Sequence, residues 1–334
     1  MVDESVPADD IQLHTINDLC EKQNWGKVRD CLDSPDVKNK LEMIQWKDKY
    51  GDNSLHWACR CLNPNPPLNV VELLLQYGGG KNLVLMKNDS DQTPLHKACF
   101  NGRAPRFDVM ESLVKEGGEE LIMMQDKYGS TALHTWCDNA RHIPVTSFDK
   151  TMKLLVNAGG KESIMMPNKM GFTALHSLFG TPIMGYFVRI EVLELLVKEG
   201  GEELIMMQDV VGNTVLHTLC IHLDKHDDAY QKIRMFLNNC SDKDKIRQVK
   251  DAAGQTALDL ADRSQACKPQ VKNLLTPGHN FAIALEQQHT TVGFDDNPKN
   301  TNDYLGNNHH ADALVEVVES MMKPPDAGNV TIGL

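Results

Sequence analysis

The chain has 334 residues, length enough for two or three compact domains, with 41% hydrophobic and 6% aromatic residues. Its net charge of −12 sits mostly at the ends: residues 276–334 hold eight acids against two lysines, the first ten residues hold four acids, and the middle is close to neutral. The basic footprint needed to neutralise phosphates is missing, which speaks against a nucleic-acid partner, and no apolar run approaches the ~20 residues of a membrane span.

In chain order, residues 1–10 are acidic and are expected to be disordered. The segment Met1 to Ser5 has neither a basic region nor an apolar stretch, so no signal peptide is expected. Residues 11–47 read as an N-terminal capping helix pair, with Ile16, Leu19 and Cys20 on the first helix and Val28, Cys31 and Leu32 on the second. Trp25-Gly26 is taken as the turn between them. Residues 48–275 then repeat themselves. Asp126-Lys127-Tyr128-Gly129-Ser130-Thr131-Ala132-Leu133-His134 has counterparts starting at Asp48, Asn88, Asn168, Asp209 and Asp251, a period of 38 to 42 residues. Periodicity on this scale signals stacked supersecondary units whose core is shared between neighbours.

The unit has local physical sense. Asp or Asn can bond its own backbone two residues on, and Gly tolerates positive φ, so Asp-x-x-Gly makes a turn. Thr131 falls where a helix starts and its hydroxyl suits a cap. Pro94 follows at a position where a missing N–H costs nothing. Leu55, Leu95, Leu133, Leu175, Leu216 and Leu258 come next in phase and are expected to line one inner face. Outer helices with an apolar i, i+3, i+4 stripe are predicted at Val70–Tyr77, Val109–Glu116, Thr151–Ala158, Ile190–Glu199 and Ile233–Asn238. Four of them run into glycine pairs, at 79–80, 117–118, 159–160 and 200–201. A short segment such as Glu119 to Met124 follows each pair and is expected to form one helical turn, its methionines filling the core. Residues 276–311 read as a flexible linker, 312–323 as a short amphipathic helix and 324–334 as a tail.

The motif Thr93-Pro94-Leu95-His96-Lys97-Ala98 and its in-phase variants resemble the ankyrin repeat over roughly residues 11 to 275. The resemblance implies an all-α solenoid of helix pairs joined by β-turn or short hairpin fingers, with partners bound on the concave side. It also implies that each motif histidine bridges neighbouring turns by hydrogen bonds. The units are longer than the usual 33 residues. The extra residues lie between the helices, at Leu62 to Pro67, Arg103 to Phe107, Arg141 to Phe148, Thr181 to Phe187 and His222 to Tyr230, and form a second candidate binding region.

Candidate chemistry is sparse. The pairs His56/Cys59, His96/Cys99, His134/Cys137 and His217/Cys220 have ligand-like spacing but recur one repeat apart, whereas a structural zinc needs four converging ligands. They read as structural, as does Cys59-x-Cys61; His309-His310 is a bare pair. The cysteines occupy a small apolar slot and are expected to be free thiols, in the cytoplasm or nucleus. Tyr77-Gly78-Gly79-Gly80-Lys81 follows a helix rather than a strand and lacks Gly-Lys-Ser/Thr, so it is no phosphate loop. No nucleophile stands in a recognised local setting. The expectation is a protein without catalysis, cofactor or metal.

Function is therefore sought in what varies from unit to unit. Tyr50, Tyr128, Met170, Phe172, Val210 and Val211 are apolar residues at turn tips, and Arg60, Phe100 and Asp138 lie four residues past the motif histidine. By the resemblance these nine face the groove. The expected role is a non-catalytic adaptor or scaffold binding a protein partner. The alternative is a stoichiometric inhibitor that occludes an enzyme through the same surface. The closing Ile332-Gly333-Leu334 also resembles an apolar C-terminal ligand for a PDZ domain.

Overall fold

The computed structural model describes residues 15–60, 65–100, 107–139, 145–180, 190–226 and 228–279. The expectations for residues 1–10, for the linker, helix and tail beyond residue 279, for His309-His310, for the PDZ-type terminus, and for most of the inter-helix insertions lie outside these residues. The described part is all helical, with no strand assigned.

Two helices open it, α1 (Thr15–Glu21) and α2 (Trp25–Asp33), followed by the short α3 (Lys40–Gln45). Trp25-Gly26 is not the turn. The chain reverses at Gln23, whose φ is +57°, and Asn24 caps α2 by accepting the Lys27 N–H through its side chain, at 3.2 Å. Trp25 and Val28 are then buried one turn apart. A polar residue with an outward cap, not the glycine, decided where the helix starts.

The inner helices that follow are α4 (Ser54–Cys59), with the outer α5 (Leu68–Gly78) and the short α6 (Lys81–Val84), then α7 (Pro94–Phe100) with α8 (Phe107–Met123), and α9 (Ala132–Asp138) with α10 (Val145–Met165). The series continues through α11 (Ala174–Gly180) with α12 (Ile190–Met206), and α13 (Val215–Ile221) with α14 (Ala229–Asn238) and α15 (Lys243–Arg247). It closes on α16 (Ala257–Arg263) and α17 (Pro269–Leu275). Each inner helix packs on the next, α1 on α4 and so on to α16; the outer helices stack likewise, α2 on α5 through to α17.

The core is one ladder running across the units. Leu55, Leu95, Leu133, Leu175 and Leu216 are all fully buried. Leu258, on the last inner helix, is only half-buried, because no further described unit covers it. The slot three residues past the histidine is filled by buried Cys59, Cys99, Cys137, Phe179 and Cys220, and Cys20 holds the same place in α1. Burial pushes the thiols of Cys20, Cys137 and Cys220 well up, out of reach of thiolate chemistry.

Outer helices run straight into the next short helix except at one glycine. Gly118, Gly160 and Gly201 have φ near +60° and ψ near −160°, a conformation essentially reserved for glycine, and there the chain breaks direction. Beyond the break Leu121, Ile122, Ile164, Leu204 and Ile205 are fully buried. The methionines, expected as core filler, line the edge of the core: Met86, Met123, Met124, Met165, Met166, Met206 and Met207 are all half-buried. The Leu/Ile pairs reach the core first, and the residues after them are left at its edge.

Candidate partner-binding edge

The finger is built by one carboxylate or amide. Asp126 Oδ1 accepts the N–H groups of Tyr128, at 2.8 Å, and Ser130, at 2.9 Å, while the Asp126 N–H donates to Ser130 O at 2.9 Å. Asp48, Asn88, Asn168, Asp209 and Asp251 make the same pair of side-chain bonds in their own fingers. The bend needs positive φ three residues on. Glycine supplies it in five fingers, and Asp91, at +58°, supplies it in the finger that begins at Asn88.

Three rows of hydrogen bonds stitch each finger to the next. The first is backbone to backbone: the carbonyls of Tyr50, Ser90, Tyr128, Met170 and Val211 accept the N–H groups of Asp89, Lys127, Lys169, Val210 and Ala252 at 2.8–3.1 Å. The second is the histidine row. His56, His96, His134, His176 and His217 place Nε2 at 2.8–3.2 Å from the carbonyls of Gln92, Ser130, Phe172, Asn213 and Gln255. In the four threonine-capped units Nδ1 accepts the backbone N–H of Thr93, Thr131, Thr173 or Thr214, so Nε2 carries the proton and donates. Asn17 stands in for histidine in α1 and donates to Asp52 O at 3.1 Å. At the other end Asp259 takes the place; its carboxylate accepts from Thr256 N and Oγ1, at 2.8 Å each, and has nothing to donate onward. The third row is Lys47 Nζ to Lys87 O, Lys87 Nζ to Gln125 O, Gln125 Nε2 to Pro167 O and Gln208 Nε2 to Lys250 O. Proline at 167 has no donor, and the row skips a step there.

Burial keeps the imidazoles neutral. His56 and His134 are pushed down to about 4, desolvation outweighing the carbonyl bond that favours the charged form; His96, His176 and His217 are pushed down for the same reason. With both ring nitrogens bonded inside the stack, these histidines are not presented as metal ligands. No group of three or more candidate metal ligands occurs among the described residues.

The nine sequence-predicted site residues divide accordingly. Tyr50, Phe100, Tyr128, Met170, Val210 and Val211 are exposed, each by more than half of its surface. The row of tip bonds links the fingers of Tyr128, Met170 and Val210-Val211 directly, so these apolar tips are consecutive along the edge; Ser90 interrupts the run toward Tyr50. Arg60 caps α4 on its exposed side, its guanidinium 5.0 Å from the Trp57 ring centroid. Asp138 ends α9 and is half-buried. Phe172 is not a free tip. Its carbonyl accepts the hydrogen bond from His134 Nε2, and its half-buried ring stacks on His176 at 6.1 Å and 9°. The residue after the glycine has its carbonyl held by the preceding unit, by a histidine at Phe172 and by Asn17 at buried Asp52, whose side chain is ion-paired with Lys97 at 3.0 Å.

Ile221, four residues past His217 and at the α13 end, is exposed as well, as its place in the groove series implies. One feature escaped the sequence reading: exposed lysines stand at the second finger position, at 49, 127 and 169, and just before the finger, at 47 and 250. Of the inter-helix insertions, the one from His222 to Tyr230 is largely described. It walls a cavity of about 310 Å³ with Gln270 and Lys268, next to the buried Lys232, which is ion-paired with Asp228 at 2.7 Å.

Residues 55–148 match a family model of ankyrin repeats, in three copies. Among solved structures, the ankyrin repeat domain of Bcl-3, described as a unique member of the IkappaB protein family, is similar at 18% identity and a TM-score of 0.54, covering 82% of this chain and 99% of that one. A chain from the complex of a predatory endopeptidase with an immunity protein of Bdellovibrio bacteriovorus is 19% identical at a TM-score of 0.48, covering 69% and 98%. No curated protein sequence matches the chain. No described helix is long and apolar enough to cross a membrane.

Proposed function

The chain is an ankyrin-repeat protein, and from that premise we propose that it is a non-catalytic adaptor that binds a protein partner through its finger edge and the ends of its inner helices. The surface comprises Tyr50, Arg60, Phe100, Tyr128, Asp138, Met170, Val210 and Val211, with Phe172 as the strut that holds the Met170 finger. One observation supports this most. Large apolar side chains stand exposed on turns whose backbone is fully stitched into a rigid ladder. Turn tips in water have no folding reason to be Tyr, Met or Val, whereas exposed aromatic and methionine side chains on a rigid frame suit an interface core. Buried thiols and the neutral, internally bonded histidines give the edge no nucleophile or general base of its own, which fits binding without turnover.

The test is partner capture by the full chain carrying Tyr128→Ala and Met170→Ala. Each substitution is expected to weaken the captured partner by ~1–3 kcal/mol and to leave the thermal midpoint nearly unmoved. Unaltered capture together with a large stability loss would assign these residues to folding instead.

A further inference from the structure

The finger edge is sorted by charge as well as by polarity. Lys47, Lys49, Lys127, Lys169 and Lys250 are exposed and Lys87 is half-exposed, and none of the six is ion-paired among the described residues. The acids of the same turns keep their charge but mostly face inward: Asp48, Asp126, Asp209 and Asp251 each accept two backbone N–H groups, and Asp52 is buried against Lys97. Only Asp89 and Asp91 are exposed acids on finger turns, and no glutamate lies in any finger. A chain of net charge −12 thus turns ammonium groups outward beside its exposed apolar tips, Lys49 lying over the Tyr50 ring at 4.9 Å and Lys169 donating to Lys127 O at 2.7 Å. The tip backbone is already used, since the second tip N–H goes to the preceding finger and the third to the turn carboxylate or amide. An occupant therefore meets side chains, not a free strand edge. Stacked helices lie about 8–10 Å apart, and an extended polyproline-like chain advances about 3.1 Å per residue, so one step of the ladder spans about three residues.

We infer that the finger edge takes an extended acidic segment of a partner protein, carrying an apolar side chain about every third residue, with its carboxylates against Lys49, Lys127 and Lys169. This rests on the finger-edge reading above. Complementary charge of this kind acts on encounter rate and on the choice of partner, and is screened by salt.

The experiment is selection of a phage-displayed random peptide library on the immobilised full chain, with the selected peptides then titrated against three proteins: the unaltered chain, Lys127→Glu/Lys169→Glu, and Tyr128→Ala/Met170→Ala. The expected result is peptides enriched in Asp and Glu with apolar residues about three apart, weakened about tenfold or more by the lysine reversal and also by the apolar truncation. Peptides that are neutral or basic yet depend on Tyr128 and Met170 overturn the acidic assignment and leave the finger-edge reading standing. Peptides indifferent to both variants overturn both. Failure to enrich any peptide overturns the extended-segment occupant. A labelled single-stranded oligonucleotide, titrated in parallel, is expected not to bind; binding abolished by the lysine reversal would assign the row to nucleic acid.

Discussion

At the scale of single residues, the motif histidine does most of the joining. It closes a capping box at its own helix and donates to the next finger, so it ties two units with one ring. Replacing His134 by Ala strands the Thr131 N–H and the Phe172 carbonyl in a buried place, at about 1–3 kcal/mol for each group left unpaired; a denaturant midpoint unchanged from the parent would refute that. The same residues set the acid response. In the unfolded chain an imidazole titrates near ~6.5, whereas His56 and His134 stay neutral in the fold down to about 4, and His96, His176 and His217 are shifted the same way. Between those values the unfolded chain binds more protons. Stability is therefore full above about pH 6.5 and is lost as pH falls toward about 4, each such histidine adding up to about 1.4 kcal/mol per pH unit. Urea denaturation followed from about pH 7 to about pH 5 should show a falling midpoint; a flat profile would mean that the rings are not buried neutral. Lys232 offers a sharper single-site test. Its fully buried ammonium is paired with Asp228, so Asp228→Ala should cost ~3–5 kcal/mol, while Lys232→Met should cost much less.

At the scale of elements, the glycine at the outer-helix break is decisive. A Cβ added at Gly118 meets nothing within 4 Å, so no clash would oppose alanine there. The backbone is what opposes it, with φ +61° and ψ −155°. Gly118→Ala should destabilise by ~1–3 kcal/mol, a cost with no steric component. Gly26, which lies inside α2 with equally open space and no positive φ, gives the control: alanine there should stabilise by about 0.4–1 kcal/mol. Thermal unfolding of the two variants should shift in opposite directions; a shift of the same sign would place the break elsewhere. The short helices beyond the break also pair across units, Lys81 with Glu120 at 2.8 Å and Lys161 with Glu203 at 3.0 Å. Both pairs are exposed and contribute little stability. Their charge alternates from unit to unit, which favours the correct neighbour over a slipped one.

At the scale of the described stack, stability is a sum over units and their interfaces. Leu133→Ala in the middle opens a cavity against both neighbours and should cost ~2–5 kcal/mol, measured by denaturation. The half-buried Leu258 has a neighbouring unit on one side only among the described residues, and its truncation should cost well under that amount. Equal losses at the two positions would contradict a one-dimensional ladder. The C-terminal unit is held differently, by Arg247, which is buried, donates to Leu274 O at 2.8 Å and pairs with Asp244 at 2.7 Å. Loosening it should lower hydrogen-exchange protection in α16 and α17 before the middle of the stack.

How much of this was legible in the chain follows from how far each determinant reaches. The turn carboxylate, the capping threonine, the leucine in phase and the small slot at the cysteines act within a few residues or repeat at a fixed period, so the letters alone determined helix pairs in a ladder. Trp25-Gly26 was misplaced because the Asn24 cap directly before it outweighed the glycine, and the methionines ended at the edge of the core because periodicity shows which residues recur, not which of two apolar neighbours reaches the interior first. The candidate edge divided in the same way. The exposure of Tyr128, Met170 and Val210 could be suspected from their position in a turn, but Phe172 sat in an identical context and was claimed by a histidine one unit earlier. The turn carboxylates bond their own backbone two and four residues on, a local pattern, whereas the ties between fingers are made by contacts some 40 residues apart in the chain. Local chemistry shaped each unit; long-range hydrogen bonding and burial, which no single unit contains, decided what the stack leaves free for a partner.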